Sequence, residues 1–213
     1  MPLPMVHLGV AKNLLEKLKI NDVSGFYLGS ISPDAVHMRK NSTGDDKNVS
    51  HLNLWVHPNL EISKKNIEEF ISKNLSAENC DFYIGYGVHV LTDTYWRVRH
   101  IFDIKYAEDK TPVQDQIGAY YNDTDKLDFE LYKKYGYRPE IWDYLSKSKA
   151  VGIDGLVSAD EVSAWNQHIL HWYDSGESQH KNPIKYITYD DLISFMDDAA
   201  VKIYEYIGNI VNT

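Results

Sequence analysis

The most informative pair of side chains is His89 and Asp93, which are four residues apart in the string GYGVHVLTD. Residues at this spacing on an α-helix lie on the same face, about one turn from each other. The spacing is typical of two ligands to one metal ion, although it also fits a hydrogen-bonded pair inside an ordinary core. His100 lies nearly on the same stripe but about 10 Å further along the axis. It can therefore serve a second ion or a substrate, and not the ion at His89.

Three residues earlier in the chain can join this pair. His7 has apolar neighbours in a predicted helix, Asp34 follows a proline in GSISPDAVH, and His51 follows a polar stretch. Each is ordinary by itself, because a histidine beside an apolar face is usually a satisfied core residue and aspartate after proline commonly begins a turn or a helix. A buried group of three histidines and two aspartates is costly to desolvate without a cation, whereas Zn²⁺ prefers these nitrogen and oxygen ligands. Together the residues predict a zinc site.

Helices predicted from hydrophobic periodicity must position these side chains. Residues 5–19 and 63–75 place apolar residues at three- and four-residue intervals, with Ser63 as the expected N-cap of the second helix. Residues 81–105 form the longest continuous pattern, and its length favours a buried helix over a strand. Residues 39–49 are polar and rich in turn formers, which predicts a loop. Further helices are predicted at residues 23–31, 112–135, 139–149, 158–173 and 188–211. Ser158 and Glu161 have the S-x-x-E spacing of a capping box, which predicts the start of the helix over 158–173.

Length and composition indicate one globular domain. The 213 residues are 43% hydrophobic and 25% charged, which is enough for a sizeable core. We therefore expect an all-α, single-domain, multi-helix bundle over residues 1–213. The mean hydropathy of −0.44 and the lack of a run of about 18 apolar residues argue against a transmembrane segment. The N-terminus shows no secretory signal, so we expect a soluble cytoplasmic protein.

Charge and acidic clusters limit the partners. The net charge of −9 disfavours duplex nucleic acid, because an acidic surface repels the phosphate backbone. Asp123, Asp125 and Asp128 are close enough in sequence to suggest a calcium loop. The glycine and the terminal glutamate of an EF-hand loop are missing, so an acidic turn at a helix start is the favoured interpretation. Cys80, the single cysteine, is more typical of a buried small hydrophobe than of a reactive thiol.

Four strings carry a resemblance to a known family. HLGVA, YLGSISPD, SH and FYIGYGVHVLTDTYW together resemble the zinc-dependent phospholipase C family, which includes the N-terminal domain of glycosylphosphatidylinositol-specific phospholipase D and is related to the S1/P1 nucleases. The resemblance covers roughly the first 100 residues. It implies an all-α fold and hydrolysis of a phosphoric ester by a metal-activated water. It also implies that Asp93 bridges two ions and that Asp34 is a ligand or a general base. The implied metal ligands are His7, Asp34, His51, His89 and Asp93.

The chain departs from this family in the residues expected for a third ion. Family members with three zinc ions use a histidine six residues after the helical aspartate, where this chain has Arg99, and a late H-x3-E or H-x3-D pair, which this chain lacks. His100, His168 and His171 are the nearest substitutes. One or two Zn²⁺ ions are therefore expected in place of three.

The resulting hypothesis is a zinc-dependent hydrolase of phosphoric esters that acts on a small phosphate ester or a lipid headgroup. Arg97 and Arg99, about one turn past Asp93, are candidate phosphate-binding residues, and Trp96 is expected to line the cleft. Two alternatives stay open. One is a non-catalytic, metal-stabilised binding protein that keeps the fold, and the other is a nuclease of the same superfamily.

Overall fold

The computed structural model describes residues 3–54, 60–98 and 113–212. These residues form nine α-helices and one 3-10 helix, with no strand beyond an isolated bridge between Ile153 and Val157. The expected all-α single domain is confirmed for this part of the chain.

We number the α-helices in chain order. No described helix is both long and apolar enough to cross a membrane. The helices are α1 (Pro4–Leu15), α2 (Val23–Gly29), the 3-10 helix (Ser32–Met38), α3 (Gly44–Ser50), α4 (Leu60–Asn74), α5 (Cys80–Val98), α6 (Val113–Lys134), α7 (Arg138–Lys147), α8 (Ala159–His171) and α9 (Tyr189–Val211).

The core is built around α5, which carries apolar residues on several faces. The helices α1, α2, α4 and α9 all pack against it, and α1 also packs against α6 and α9. The buried helix predicted at residues 81–105 is confirmed as far as Val98, and its remainder lies outside the described residues. Because α5 is enclosed on so many sides, its polar residues must find partners within the protein.

Two glycines allow α2 and α5 to approach backbone to backbone. A Cβ atom added at Gly29 would lie 2.1 Å from the carbonyl oxygen of Phe82, and one added at Gly85 would lie 2.1 Å from that of Phe26. No side chain fits in either place. The absence of a side chain at Gly85, four residues before His89, therefore lets α2 pack directly on this face of α5.

The segment 39–49 is where the predicted loop is wrong, because α3 begins at Gly44. Thr43 is its N-cap, and the side chains of Thr43 and Asp46 form a capping box. This reciprocal pair satisfies two amides that the helix end leaves without partners, which stabilises a helix in a polar sequence. The capping box predicted at Ser158 and Glu161 is confirmed at the start of α8.

Two other sequence-based boundaries also differ. Helix α4 begins at Leu60, so Ser63 is a buried residue inside the helix and not its N-cap. Helix α2 ends at Gly29, and the chain continues through the Ser32–Pro33 step as a 3-10 helix. Proline fits in the first turn of a helix, because an N–H group there has no intrahelical acceptor and its absence removes no hydrogen bond.

The acidic residues 123–128 lie in the middle of α6, not at a helix start as expected. The Asp123 carboxylate accepts hydrogen bonds from the backbone amides of Lys185, Tyr186 and Ile187. It thereby fixes the segment leading into α9. Asp128 accepts from the backbone amide of Met5 at 3.0 Å and from the Tyr173 hydroxyl, which ties the start of α1 to α6.

Candidate metal centre

Five side chains from four segments converge in the interior. His7 comes from the first turns of α1, Asp34 from the 3-10 helix, and His51 from the residue that follows α3. His89 and Asp93 lie one turn apart on α5, as their spacing predicts. We call these five residues the His/Asp cluster.

The cluster has the separations of side chains that share small ions. The Nε2 atoms of His51 and His89 are 3.3 Å apart. His51 Nε2 lies 3.5 Å from a carboxylate oxygen of Asp34 and 3.5 Å from one of Asp93. His7 Nε2 lies 3.6 Å from the other Asp93 oxygen. In two groups of three residues, each residue offers one ligand atom that lies within 4.8 Å of the other two. These ligand groups are His7 with Asp34 and His89, and His51 with His89 and Asp93.

Backbone carbonyls orient two of the three imidazoles. His89 Nδ1 is 2.9 Å from the carbonyl oxygen of Ser30, and His51 Nδ1 is 2.8 Å from that of Lys47. A carbonyl can only accept, so each Nδ1 carries the proton and each Nε2 presents a lone pair. Two lone pairs that face each other across 3.3 Å repel each other unless a proton or a metal ion lies between them. Ligating histidines commonly receive this kind of support from a second hydrogen bond.

His7 completes the cluster by stacking on His89. The two rings are nearly parallel, at an angle of 5°, with 3.8 Å between their centroids. Burial lowers the pKa of His7 well below its ordinary value, and it lowers that of His89 to about 3. Both imidazoles are therefore neutral at physiological pH in the metal-free protein, which is the state in which histidine binds a metal.

The two carboxylates differ in their surroundings. Burial raises the pKa of Asp93 to about 6, although His51 and Lys47 oppose this shift. Burial also acts to raise the pKa of Asp34, but the neighbouring His37 and His51 side chains and the charge of Lys47 outweigh it, so this pKa lies well below its ordinary value. Asp34 is therefore the stable anion of the cluster, whereas Asp93 lacks a permanent positive partner.

A divalent cation fits the residues present. Both ring nitrogens of His7 and both carboxylate oxygens of Asp93 are buried without a hydrogen-bond partner among the described residues. With bonds of about 2.0–2.2 Å, tetrahedral zinc holds neighbouring ligand atoms roughly 3.3–3.5 Å apart, close to the separations in the cluster. Imidazole nitrogens with carboxylate oxygens form a donor set that suits zinc. The unpartnered atoms and the donor set together indicate a cation site.

Asp34 links the cluster to an open pocket of about 420 Å³. Its side chain is 14% exposed, whereas each of the other four is exposed by 1% or less. A ligand in the pocket can therefore reach the cluster on the Asp34 side. The pocket is lined by Leu3, Pro4, Asp34, His37, Gly44, Lys47, Asn48, Tyr121, Trp165 and Trp172.

Lys47 is the functional candidate that the sequence interpretation missed. Its Nζ is 2.9 Å from the Asp34 carboxylate and 3.1 Å from His37 Nε2. The sequence does carry a signal for α3, the T-x-x-D spacing of Thr43 and Asp46, which is typical of a capping box. On a helix, Lys47 and His51 are four residues apart and share a face.

The expected substrate-binding residues lie elsewhere or outside the described residues. Trp96 is buried, packs edge-on against Phe195 and donates its indole N–H to the Tyr120 hydroxyl, so its ring belongs to the core. Arg97 donates to the carbonyl oxygen of Leu54 at 2.8 Å, which braces the segment after His51. A substrate contact for either residue stays a prediction. Arg99 and His100 lie outside the described residues.

His168 and His171 belong to neither ligand group of the described residues. The His168 ring lies edge-on to Trp172, and His171 pairs with Asp174 at 2.9 Å on the surface. Glu161, on the same helix, binds Arg39. No late histidine in the described part of the chain adds a ligand to the cluster.

Comparison with known proteins found no matching family profile, no matching curated protein and no matching solved structure. The family resemblance of the N-terminal half therefore stays a proposal. The candidate metal centre rests on the geometry and chemistry of its own side chains.

Proposed function

We propose that this protein is a metal-dependent hydrolase of phosphoric esters, with the His/Asp cluster holding one or two Zn²⁺ ions. The observation that carries the proposal is a set of buried, unpartnered ligand atoms beside an open pocket. A buried polar atom without a partner costs about 1–3 kcal/mol, and four such atoms of the described residues, two on His7 and two on Asp93, lie together in the cluster. Next to a pocket, the same groups can hold an ion that a substrate reaches.

The resemblance to the zinc-dependent phospholipase C family supports the choice of reaction. The residues that it implies as ligands are the five that meet in the cluster, and the all-α architecture agrees with it. The described residues offer two ligand groups that share His89, which supports one ion directly and a second only where other ligands replace His89. A nuclease of the same superfamily is disfavoured by the net charge of −9.

The chain's own residues have distinct roles in this proposal. A bound Zn²⁺ supplies a water of lowered pKa and neutralises charge on phosphate oxygens. His51 and His89 keep their Nε2 atoms pointed into the cluster because Lys47 and Ser30 carbonyls hold the opposite ring nitrogens. Asp34 faces both the cluster and the pocket, so it is the candidate to orient a water or to accept its proton.

A second candidate function is favoured by the depth of the cluster. Four of the five side chains are exposed by 1% or less, which is typical of a metal site filled by protein ligands. A non-catalytic protein that uses the metal for stability or for ligand binding fits this burial. The two functions differ in turnover and not in metal content.

The test is hydrolysis of p-nitrophenyl phosphate and bis(p-nitrophenyl) phosphate by the zinc-loaded protein. We expect release of nitrophenol that a chelator abolishes and added Zn²⁺ restores. His89→Gln should remove activity, whereas His171→Gln, which changes an exposed histidine outside the cluster, should leave it unchanged. Bound zinc with thermal stabilisation and no turnover on either ester would support the non-catalytic function instead.

A further inference from the structure

The pocket beside Asp34 is lined by two chemically different groups of side chains, which we call its aromatic side and its polar side. Trp165, Trp172 and Tyr121 give it an aromatic side, to which Leu3 and Pro4 add aliphatic surface. The other side carries the charged and polar groups of the 3-10 helix and α3. An occupant that satisfies both sides must be amphiphilic.

Lys47 gives the polar side a positive charge. Its side chain is 24% exposed and lies between the pocket and the cluster, with Nζ bound to Asp34 Oδ1 at 2.9 Å. His37 Nε2 lies 3.6 Å from the same oxygen. Asp34 is the pocket's one carboxylate among the described lining residues. The polar side therefore combines the ammonium group of Lys47 with one carboxylate, Asp34, which also belongs to the His/Asp cluster.

A metal ion in the cluster and the ammonium group of Lys47 would both interact with the Asp34 carboxylate. When an ion binds Asp34, the ion pair between Lys47 and Asp34 weakens, and the Lys47 ammonium group can then bind an anion in the pocket. Because Lys47 is held on α3, four residues before His51, it lies beside the cluster whether or not the pocket is occupied.

We infer that this pocket binds the substrate of the metal centre, that Lys47 binds the phosphate group, and that Trp165 and Trp172 select a phosphoric ester with an apolar, ring-sized substituent. The inference rests on the proposed function for the reaction, but the binding itself does not require turnover. The pocket volume of about 420 Å³ accommodates a ring together with a phosphate group. Lys47 replaces Arg97 and Arg99 as the leading candidate for the phosphate contact.

Calorimetry with compounds that cannot be hydrolysed tests the inference on the zinc-loaded full chain. Phenylphosphonate carries both features, methylphosphonate only the charge, and benzyl alcohol only the ring. We expect phenylphosphonate to bind at least about fivefold more tightly than methylphosphonate, because the aromatic side contributes contact area. Benzyl alcohol should bind much more weakly than either anion.

Substitutions separate the two sides of the pocket. Lys47→Met should weaken phenylphosphonate binding at least about tenfold, since a charge-assisted hydrogen bond is lost, and Lys47→Arg should restore most of the affinity. Trp172→Ala should reduce the preference for phenylphosphonate over methylphosphonate. Lys147→Met, which removes a surface lysine paired with Asp143, is the matched control and should bind as the wild type does.

The outcomes distinguish this inference from the proposed function. Zinc content and melting temperature of each variant show that it is folded and loaded. Binding that depends on Lys47 and Trp172 upholds the inference even if no ester is hydrolysed. Unchanged phenylphosphonate affinity in folded, zinc-loaded Lys47→Met overturns it, even if the wild type hydrolyses esters.

Discussion

At the scale of single residues, the side chains of His7 and Asp93 give the main support for a cation site in the cluster. Both are almost completely buried, and their polar side-chain atoms have no hydrogen-bond partner among the described residues. A buried polar atom without a partner costs about 1–3 kcal/mol, so retaining several of them close together destabilises the metal-free fold. A bound ion would replace these unsatisfied atoms with ligand bonds from His7 and Asp93.

Asp93 should contribute more to metal binding than His100 does. Asp93 lies within 4.0 Å of all three histidines of the cluster, so it also contacts the ligand group of His7, to which it does not itself belong. Asp93→Ala should lose most of the bound zinc, measured by elemental analysis after dialysis, whereas His100→Ala should keep it. Asp93→Asn, which has nearly the same shape, controls for the cavity that alanine leaves. Equal zinc loss in Asp93→Ala and His100→Ala would refute this ranking.

Asp128 is a buried carboxylate outside the cluster. Burial raises its pKa to about 7, although the Tyr173 hydroxyl and the Met5 amide both donate to it. In the unfolded chain an aspartate has a pKa of about 3.9. Between these two values the folded protein holds a proton that the unfolded chain releases.

The free energy of unfolding should therefore fall as pH rises from about 4 to about 7, by up to about 1.4 kcal/mol for each pH unit from this group, and then level off. Asp128→Asn cannot titrate, so it should lose this dependence. Urea unfolding at pH 5 and pH 7 measures the difference in free energy of unfolding between the wild type and the variant. From pH 5 to pH 7 this difference should shift by about 2–3 kcal/mol in favour of the variant. A constant difference across this range would contradict the assignment.

At the scale of elements, the close approach of α2 to α5 fixes the orientation of His89. Gly29 and Gly85 let the two backbones touch, and the carbonyl of Ser30, the residue after α2, accepts the hydrogen bond from His89 Nδ1. Packing between two helices thus sets the direction of a ligand atom. A change at the contact should affect the metal site without touching a ligand.

Gly85→Ala should force the two helices apart, because its Cβ would lie 2.1 Å from the Phe26 carbonyl oxygen. We expect a loss of about 3 kcal/mol in the free energy of unfolding and weaker zinc binding. Gly118→Ala on α6, where an added Cβ meets nothing within 4 Å, is the matched control. It should gain about 0.5–1 kcal/mol from helix propensity. Similar stabilities of the two variants, measured by urea unfolding, would show that α2 and α5 are not in such close contact.

The elements could be predicted from sequence where one strong pattern dominated. The long apolar run placed His89 and Asp93 on one helix, and the serine and glutamate at 158 and 161 placed the start of α8. The pattern failed at α3, since seven mostly polar residues have no hydrophobic period and only the capping box of Thr43 and Asp46 supports a helix. Lys47 was missed for the same reason.

At the scale of the whole molecule, the cluster is assembled from segments that are far apart in the chain. The order of His7, Asp34, His51 and the α5 pair along the sequence is enough to suggest a common site. The pocket could not be predicted in this way, because it joins α1, α3, α6 and α8 through tertiary packing. Periodicity predicts which face of a helix is buried but not which helix covers it.

Zinc should stabilise the whole fold, because the cluster joins α1, α5, the 3-10 helix and the end of α3. A ligand that binds only the folded state adds about 2.7 kcal/mol at a free concentration one hundred times its dissociation constant. The melting temperature of the chelated protein should rise on addition of Zn²⁺, and this rise should disappear in His89→Gln. An unchanged melting temperature in the wild type would mean that zinc does not bind selectively to the folded state.

The most direct test of a metal centre is the metal content of the purified wild-type protein. Inductively coupled plasma mass spectrometry, after incubation with Zn²⁺ and removal of free metal by desalting, counts the ions held by each chain. The geometry of the His/Asp cluster predicts one or two zinc ions per chain, and less than half of that in Asp93→Ala. Only traces of zinc in the folded wild-type protein would contradict the metal centre and the function proposed from it.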